Sequence, residues 1–369
     1  MEQILLKVLI IATTRFELDG ITNVILNYFR AMDKSDIVID FVVPNDVRED
    51  LRAELEKYGS NIYKIDQRNK KPILYLKKLI KLIRKNNYDI VHAHGNSCTL
   101  ALEMYAAKKA YVKVRISHSH NTMCKYKFLH KILRNIFERC YTHAFACGEK
   151  AGKWLFNNKP FEIINNGIDI DRYSYNEAIR KEYRNKYNLN GKRVVGHIGH
   201  FSYQKNHEFL IRVFSELYKL NKNYHLLLIG DGELKNSIER QVKELGLSDV
   251  VTFTGKTLNV PQLMQAMDMI VMPSRFEGLP LTLIEAQAAC LPCFVSDKIS
   301  REVEVTNLIK FISLDASPKE WANLINGIKP INRSKIRESI YKQIVNAGYS
   351  INDNARRVKE LYIKYSGYN

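Results

Sequence analysis

Short apolar runs alternate along the whole chain with longer segments in which hydrophobic residues recur every three or four positions. The short runs predict strands at 8–12, 37–43, 90–93 and 112–117 in the first half, and at 194–198, 225–229, 250–253, 269–272 and 293–295 in the second. Strands separated by amphipathic helices are the pattern of βαβ units, hence of parallel sheets in an α/β protein. The segment 177–192 is charged, polar and poor in β-branched residues, so it is expected to link two doubly wound, Rossmann-like domains. These expected domains are 1–180 and 181–349, with a C-terminal helix at about 350–369 packing back onto the first. Two such domains facing each other form a central cleft, and folds of this kind bind ligands beyond the carboxyl ends of their strands.

Composition narrows the class. At about 150 residues per domain, 369 residues favour two domains. With 46% hydrophobic and 26% charged residues and only 17 Gly and 9 Pro, the chain is neither collagen-like nor low-complexity nor disordered. No apolar run approaches the roughly 18 residues that cross a bilayer. The start, MEQILLK before the apolar run at 8–12, reads as a first strand and not as a signal peptide, so a cytoplasmic protein is expected. In a reducing compartment the six cysteines are expected as free thiols.

The net charge of +18 is unevenly spread. Residues 1–50 hold 5 basic and 9 acidic side chains, whereas residues 51–150 hold 21 basic and 7 acidic. Two basic amphipathic helices are expected there, over 68–85 (with Ile73, Leu76, Ile80 and Ile83 at helical spacing) and over 125–139 (with Phe128, Leu129, Ile132, Leu133 and Phe137). Each either packs its apolar stripe on a core or lies on an anionic membrane surface, where each nearby Lys or Arg contributes about 1 kcal/mol. Nucleic acid is not expected as a partner, because no recognised binding motif accompanies the charge.

Candidate chemistry gathers at strand ends. The run SRFEGLPLTLIEA places Glu277 and Gly278 in a loop after the 269–272 strand and Glu285 eight residues beyond Glu277, on the following helix. Free amides at that helix entrance, around Gly278 and Leu279, suit a phosphate, and a carboxylate accepts two hydrogen bonds from a vicinal diol. On spacing alone an exposed loop acid and an ordinary helix residue are the favoured reading. Gly199, His200 and Lys205 follow the 194–198 strand, where Lys205 can reach a diphosphate. Gly230-Asp231-Gly232 follows the next strand, but without a third glycine the dinucleotide fingerprint is incomplete. Asp19-Gly20-Ile21 offers a tight turn after the first strand.

Together these segments resemble glycosyltransferase family 4, retaining enzymes of the two-domain GT-B fold, in its capsule and exopolysaccharide branch. The similarity runs through the chain and is densest over 199–297. The family's paired-acid signature is matched by Glu277 and Glu285 within FEGLPLTLIEA, its diphosphate lysine by Lys205, its strand-end histidine segment by ISHSHN at 116–121, and its NGID segment by residues 166–169. The resemblance implies that Glu285 holds the ribose of a nucleotide-sugar donor, that Glu277 contacts the transferred sugar, and that the amides at Gly278 and Leu279 meet sugar or phosphate. His118 or His120 would line the reaction centre from the other domain. It also implies a UDP-sugar donor, a lipid-linked saccharide acceptor, no cofactor and no metal. Such an enzyme would sit at the inner face of the plasma membrane. Where the family usually carries an arginine this chain has His200, and a two-glycine N-terminal loop is here Asp19-Gly20.

Other readings compete. His92-Ala93-His94 and His118-Ser119-His120 are two strand-end pairs at a spacing that can ligate zinc, as in a metallohydrolase. A non-catalytic nucleotide-sugar-binding paralogue, or a dehydrogenase, would use the same fold. Asp169-Ile170-Asp171 reads as turn and helix-start chemistry, and Cys290 and Cys293 as buried or partly buried thiols without a catalytic duty.

Overall fold

Most strands are apolar on both faces: Leu6–Ala12 has a single exposed residue and Tyr224–Ile229 has none. A strand of that kind is satisfied only in a parallel sheet covered by helices on both sides. The computed structural model describes residues 5–17, 20–124 and 126–367 and contains two units of this design.

The first unit runs to Gly167 and regains the segment from Ile351 onward. Its strands are β1 (Leu6–Ala12), β2 (Ile37–Val43), β3 (Ile62–Lys64), β4 (Ile90–Gly95), β5 (Val114–Ser119), β6 (His143–Ala146) and β7 (Glu162–Ile163), in the sheet order β3-β2-β1-β4-β5-β6-β7. The second unit, Ile168–Ser350, carries β8 (Arg193–Ile198), β9 (Tyr224–Ile229), β10 (Val251–Gly255), β11 (Met269–Met272), β12 (Cys293–Ser296) and β13 (Ile309–Ile312), in the order β10-β9-β8-β11-β12-β13. Every pairing in both sheets is parallel. Each order reverses beside its first strand, at β1/β4 and at β8/β11, and at such a reversal the loops diverge to leave a crevice at the carboxyl ends. The α/β, doubly wound architecture expected from the sequence is what each unit has.

The expected boundary at 180/181 moves back to Gly167/Ile168. Segment 177–192 is no linker: Asn176 caps the helix Glu177–Lys186, accepting from the Ala178 and Ile179 amides. Arg180 and Arg184 of that helix both bind Asp268, at 2.5 and 3.2 Å, and clamp the segment to the second unit. The last helix, Ile351–Ser366, belongs to the first unit and lies against the helix Gly20–Ala31.

The two basic segments differ from their expected patterns. In the helix Pro72–Asn86, Tyr75, Leu79 and Ile83 form the buried stripe, while Ile73 is exposed. In the helix Lys127–Glu138 only His130 and Phe137 are buried, with Leu133 packed beside them. Phe128 (75% exposed), Leu129, Ile132 (55%) and Ile136 remain open to solvent among Lys127, Lys131 and Arg134. Lys125, expected within this helix, lies outside the described residues, as does Asp19. No helix among the described residues is long and apolar enough to cross a membrane.

Candidate active site

The second unit gathers its candidate residues at the β8/β11 reversal. Beyond β8 the chain turns through Gly199 and His200 into a short helical turn, Tyr203–Lys205, and the Lys205 side chain folds back across Gly199. Beyond β9, Gly230 adopts φ +138°, and a Cβ there would lie 2.0 Å from the Gly199 carbonyl oxygen. Only glycine lets these two loops approach so closely. The Phe201 amide donates to the Asp231 carbonyl (2.9 Å), and His200 Nε2 meets Glu233 Oε2 at 2.9 Å on the solvent side.

Beyond β11, residues 273–280 lead to the helix Leu281–Ala288, with Pro280 at its N-cap instead of in its first turn. Glu277 is tied down on both carboxylate oxygens. Lys205 Nζ stands 2.7 Å from Oε1, and Gln204 Nε2 donates to Oε2 at 2.9 Å. The ion pair is sheltered, with side-chain exposures of 15% for Lys205 and 9% for Glu277. The chain at Glu277 also forms a parallel bridge to Ile299, which anchors the loop to the segment after β12. Gly278 is exposed, and a Cβ there would meet nothing within 4 Å, so the backbone at the helix entrance is open to a ligand. Leu279 is half-buried against the core.

Glu285 lies in the second turn of that helix, beside Tyr173 and Arg172. Desolvation pushes its carboxyl up to about 7, and the Tyr173 hydroxyl and the Arg172 charge pull the other way. Glu277 and Glu285 thus sit in different surroundings, one paired with a lysine and one beside a phenol. Tyr173 and Gln204 were missed at the sequence level. Gln204 directly precedes Lys205, and Tyr173 ends a short helix whose N-cap, Asp169, accepts from the Arg172 amide, so neighbouring residues carried the signal for both.

In the first unit Gly20 opens the helix Gly20–Ala31 with φ +40°. The histidines form a ladder across β4 and β5, because His94 and His118 are in register and His92 lies two residues back on the same face. His92 Nε2 meets His118 Nδ1 at 3.2 Å, His94 Nδ1 meets His120 Nε2 at 2.9 Å, and His92 Nδ1 meets the Tyr362 hydroxyl at 2.6 Å. Burial drives all four well below the usual imidazole range, His92 to about 3 and His120 to about 4, so the ladder is neutral at pH 7. His118, expected just past a strand, lies within β5 and is 1% exposed, whereas His120 lies just beyond the strand end and is half-buried. Of the two, His120 is the less buried, with its Nε2 taken by His94 and its Nδ1 covered.

One ring nitrogen from each of His92, His94 and His118 falls within 4.8 Å of the others. A metal takes its bond in the plane of each ring, yet His92 and His94 stack with centroids 4.2 Å apart and 25° between planes. Their lone pairs therefore run side by side instead of converging, an arrangement suited to hydrogen-bonded neutral imidazoles. Cys290 and Cys293 are buried free thiols, and burial raises both above the ordinary cysteine range.

Comparison with known proteins fits this geometry. Residues 18–172 match the family described as Glycosyltransferase Family 4, and residues 179–344 match Glycosyl transferases group 1. The putative glycosyltransferase EpsF of Bacillus subtilis is 31% identical over 360 residues, covering 93% of each chain. The UDP-Gal:alpha-D-GlcNAc-diphosphoundecaprenol alpha-1,3-galactosyltransferase of Escherichia coli is 28% identical over 77% of this chain and 78% of its own. Among solved structures, Anabaena Alr3699/HepE in complex with UDP and glucose superposes with a TM-score of 0.76 at 18% identity, covering 97% of this chain and all of that one.

Proposed function

This chain belongs to glycosyltransferase family 4, its second unit being a group 1 glycosyl transferase module, and from that premise we propose that it moves a hexose from a UDP-sugar to a hydroxyl of a lipid-linked saccharide. The observation that carries this reading is the sheltered Lys205–Glu277 pair at the β8/β11 reversal, one helical segment away from Glu285. The name of the Escherichia coli relative, which specifies a UDP-sugar donor and a diphosphoundecaprenol acceptor, supports the substrate classes.

In this reading the Glu285 carboxylate accepts hydrogen bonds from both ribose hydroxyls. Lys205 and the open amides near Gly278 and Leu279 face the diphosphate, and Glu277 contacts the sugar. As the bond from the anomeric carbon to the diphosphate lengthens, oxocarbenium character grows on the sugar and negative charge on the leaving phosphate. Fixed positive groups already aimed at that charge lower the barrier without a metal and without reorganising at the moment of reaction. Retention follows if the acceptor oxygen attacks from the face that the diphosphate leaves, with the departing phosphate taking the acceptor proton. His120, neutral at pH 7, then borders the sugar or acceptor and does not serve as a cation. Gly199 and Gly230 keep the β8 and β9 loops close enough for nucleotide contact, and His200, held by Glu233, borders the diphosphate region.

The exposed apolar face Phe128, Leu129, Ile132 and Ile136, flanked by lysines, suits peripheral attachment to an anionic membrane bearing the acceptor. Capsule or exopolysaccharide assembly is the process to which such a product belongs.

The test is release of UDP from UDP-sugars by purified protein in EDTA, with Lys205→Ala and Glu285→Ala alongside. Turnover that survives the chelator and drops about 10²–10³-fold in Lys205→Ala is expected. Donor binding without turnover on any acceptor would identify a sensing paralogue, and loss of turnover in EDTA would restore the zinc reading.

A further inference from the structure

On the opposite side of the second unit, at the amino-terminal ends of its strands, lies a cavity of about 740 Å³. Arg193 opens β8, Asn223 immediately precedes β9, Asp268 precedes β11 and Pro292 precedes β12, and all four line it. Lys205, Glu277 and Glu285 do not: they follow β8 and β11, at the other ends of the same strands. The volume lies within the ~300–1,000 Å³ typical of small-molecule sites.

Its lining carries five cations, Arg180, Lys192, Arg193, Lys329 and Arg333, against two carboxylates, Glu177 and Asp268. Part of this charge has a structural purpose. Arg333 donates to the carbonyls of Gln265, Met267 and Ala289, and Arg180 to those of Gln265 and Met267, so both cap the C-terminal end of the helix Val260–Ala266 and Arg333 also caps that of Leu281–Ala288. Arg193 donates to the Asn326 and Ile328 carbonyls. That purpose explains where the guanidiniums are held but leaves their charge unbalanced. Asp268 is shared by Arg180 and Arg184, and Arg333, 6% exposed and stacked over Tyr175, has no carboxylate partner among the described residues. Desolvation and the neighbouring Arg180 charge bring Arg333 down to about 9, the behaviour of a buried cation short of an anion.

Capping does not account for the rest of the lining. Lys192 and Lys329 make no ion pair among the described residues, and both line the cavity. The helix Arg333–Asn346 also begins there. Asn332 caps the Lys335 amide, which leaves the amides of Arg333 and Ser334 as donors at the positive end of a 14-residue helix. Two lysines without ion pairs and the first amides of a helix, among the residues lining one hollow beside a buried guanidinium that has no carboxylate partner, are a setting that recognises phosphate oxygens.

We propose that this cavity binds a small, soluble phosphate-bearing anion at a site separate from that of the sugar donor. Lys192, Lys329 and the Arg333–Ser334 amides make the contacts, and Arg180 and Arg333 supply the field.

The test is calorimetric titration of inorganic pyrophosphate into the full-length Lys205→Ala protein, in which the donor site has lost its lysine. One bound pyrophosphate per chain is expected. Adding Lys192→Glu and Lys329→Glu should weaken it at least tenfold, while the ligand-free Tm stays within about a degree. Should the double reversal lower that Tm, Lys329→Gln alone, on an exposed side chain, is expected to weaken binding severalfold. No binding to Lys205→Ala, or binding indifferent to the lysine changes, overturns the site. Pyrophosphate that binds wild type but not Lys205→Ala does the same, and leaves the donor-site reading standing.

Discussion

Glu285 is a carboxyl group that ionises close to neutrality, and that makes its role measurable. If its carboxylate holds the ribose diol as proposed, donor affinity should rise as pH increases through about 7 and level off above it; Glu285→Gln should bind weakly with a flat profile, as read by titration of a UDP-sugar between pH 5.5 and 8.5. Stability responds in the opposite sense. The folded pKa lies above the unfolded one, so ionisation penalises the folded state increasingly from about pH 4.5 up to about 7 and fully beyond it. Glu285→Gln should therefore raise Tm at pH 8 and leave it nearly unchanged at pH 4.5. The glycines separate in the same way. Gly230→Ala meets the Gly199 carbonyl in a conformation reserved for glycine and should destabilise by about 3 kcal/mol or more, whereas Gly278→Ala, with open space around its Cβ, should keep wild-type stability and lose donor affinity. At this scale the sequence singled out Lys205, Glu277 and Glu285 by their resemblance to family motifs, since spacing alone does not mark them. The Lys205–Glu277 pairing and the Tyr173 neighbour of Glu285 were not, since both depend on how separate loops fold back.

The strands that the sequence pattern failed to reveal are β3, β6, β7 and β13. They have two to four residues each, and β3, β7 and β13 lie at sheet edges, where one side is solvated and the apolar run that marks a central strand is not required. The long central strands appeared at nearly their true bounds because burial on both faces forces continuous Val, Ile and Leu. Helical periodicity located the helix Lys127–Glu138 but left open whether its apolar stripe meets a core. A stripe of Phe, Leu and Ile reads the same whether it meets a core or a membrane, and here Phe128, Leu129, Ile132 and Ile136 meet solvent. If that face inserts into lipid, Phe128→Asp with Ile132→Asp should abolish co-sedimentation with phosphatidylglycerol vesicles while the far-UV spectrum and Tm hold; retained co-sedimentation would remove the membrane role of this helix.

For the molecule as a whole, the repeated strand and helix alternation announced two parallel-sheet units, and the sheet orders now explain why chemistry collects at β8/β11. The expected division failed by a helix: segment 177–192 looked like a tether because its polar residues are Arg180, Arg184 and their neighbours, whose half-buried partner, Asp268, is far away in sequence. A ligand that grips only the folded second unit should stabilise it against heat, and a UDP-sugar at 100 times its dissociation constant should add about 2.7 kcal/mol, an effect Lys205→Ala should largely remove at the same donor concentration. The most direct test of the central claim is a crystal structure of the protein soaked with a UDP-sugar. The account predicts ribose hydroxyls on Glu285, the diphosphate at Lys205 and the amides of Gly278 and Leu279, and the sugar against Glu277. A donor bound elsewhere, or bound with those three side chains turned away from it, would contradict the account.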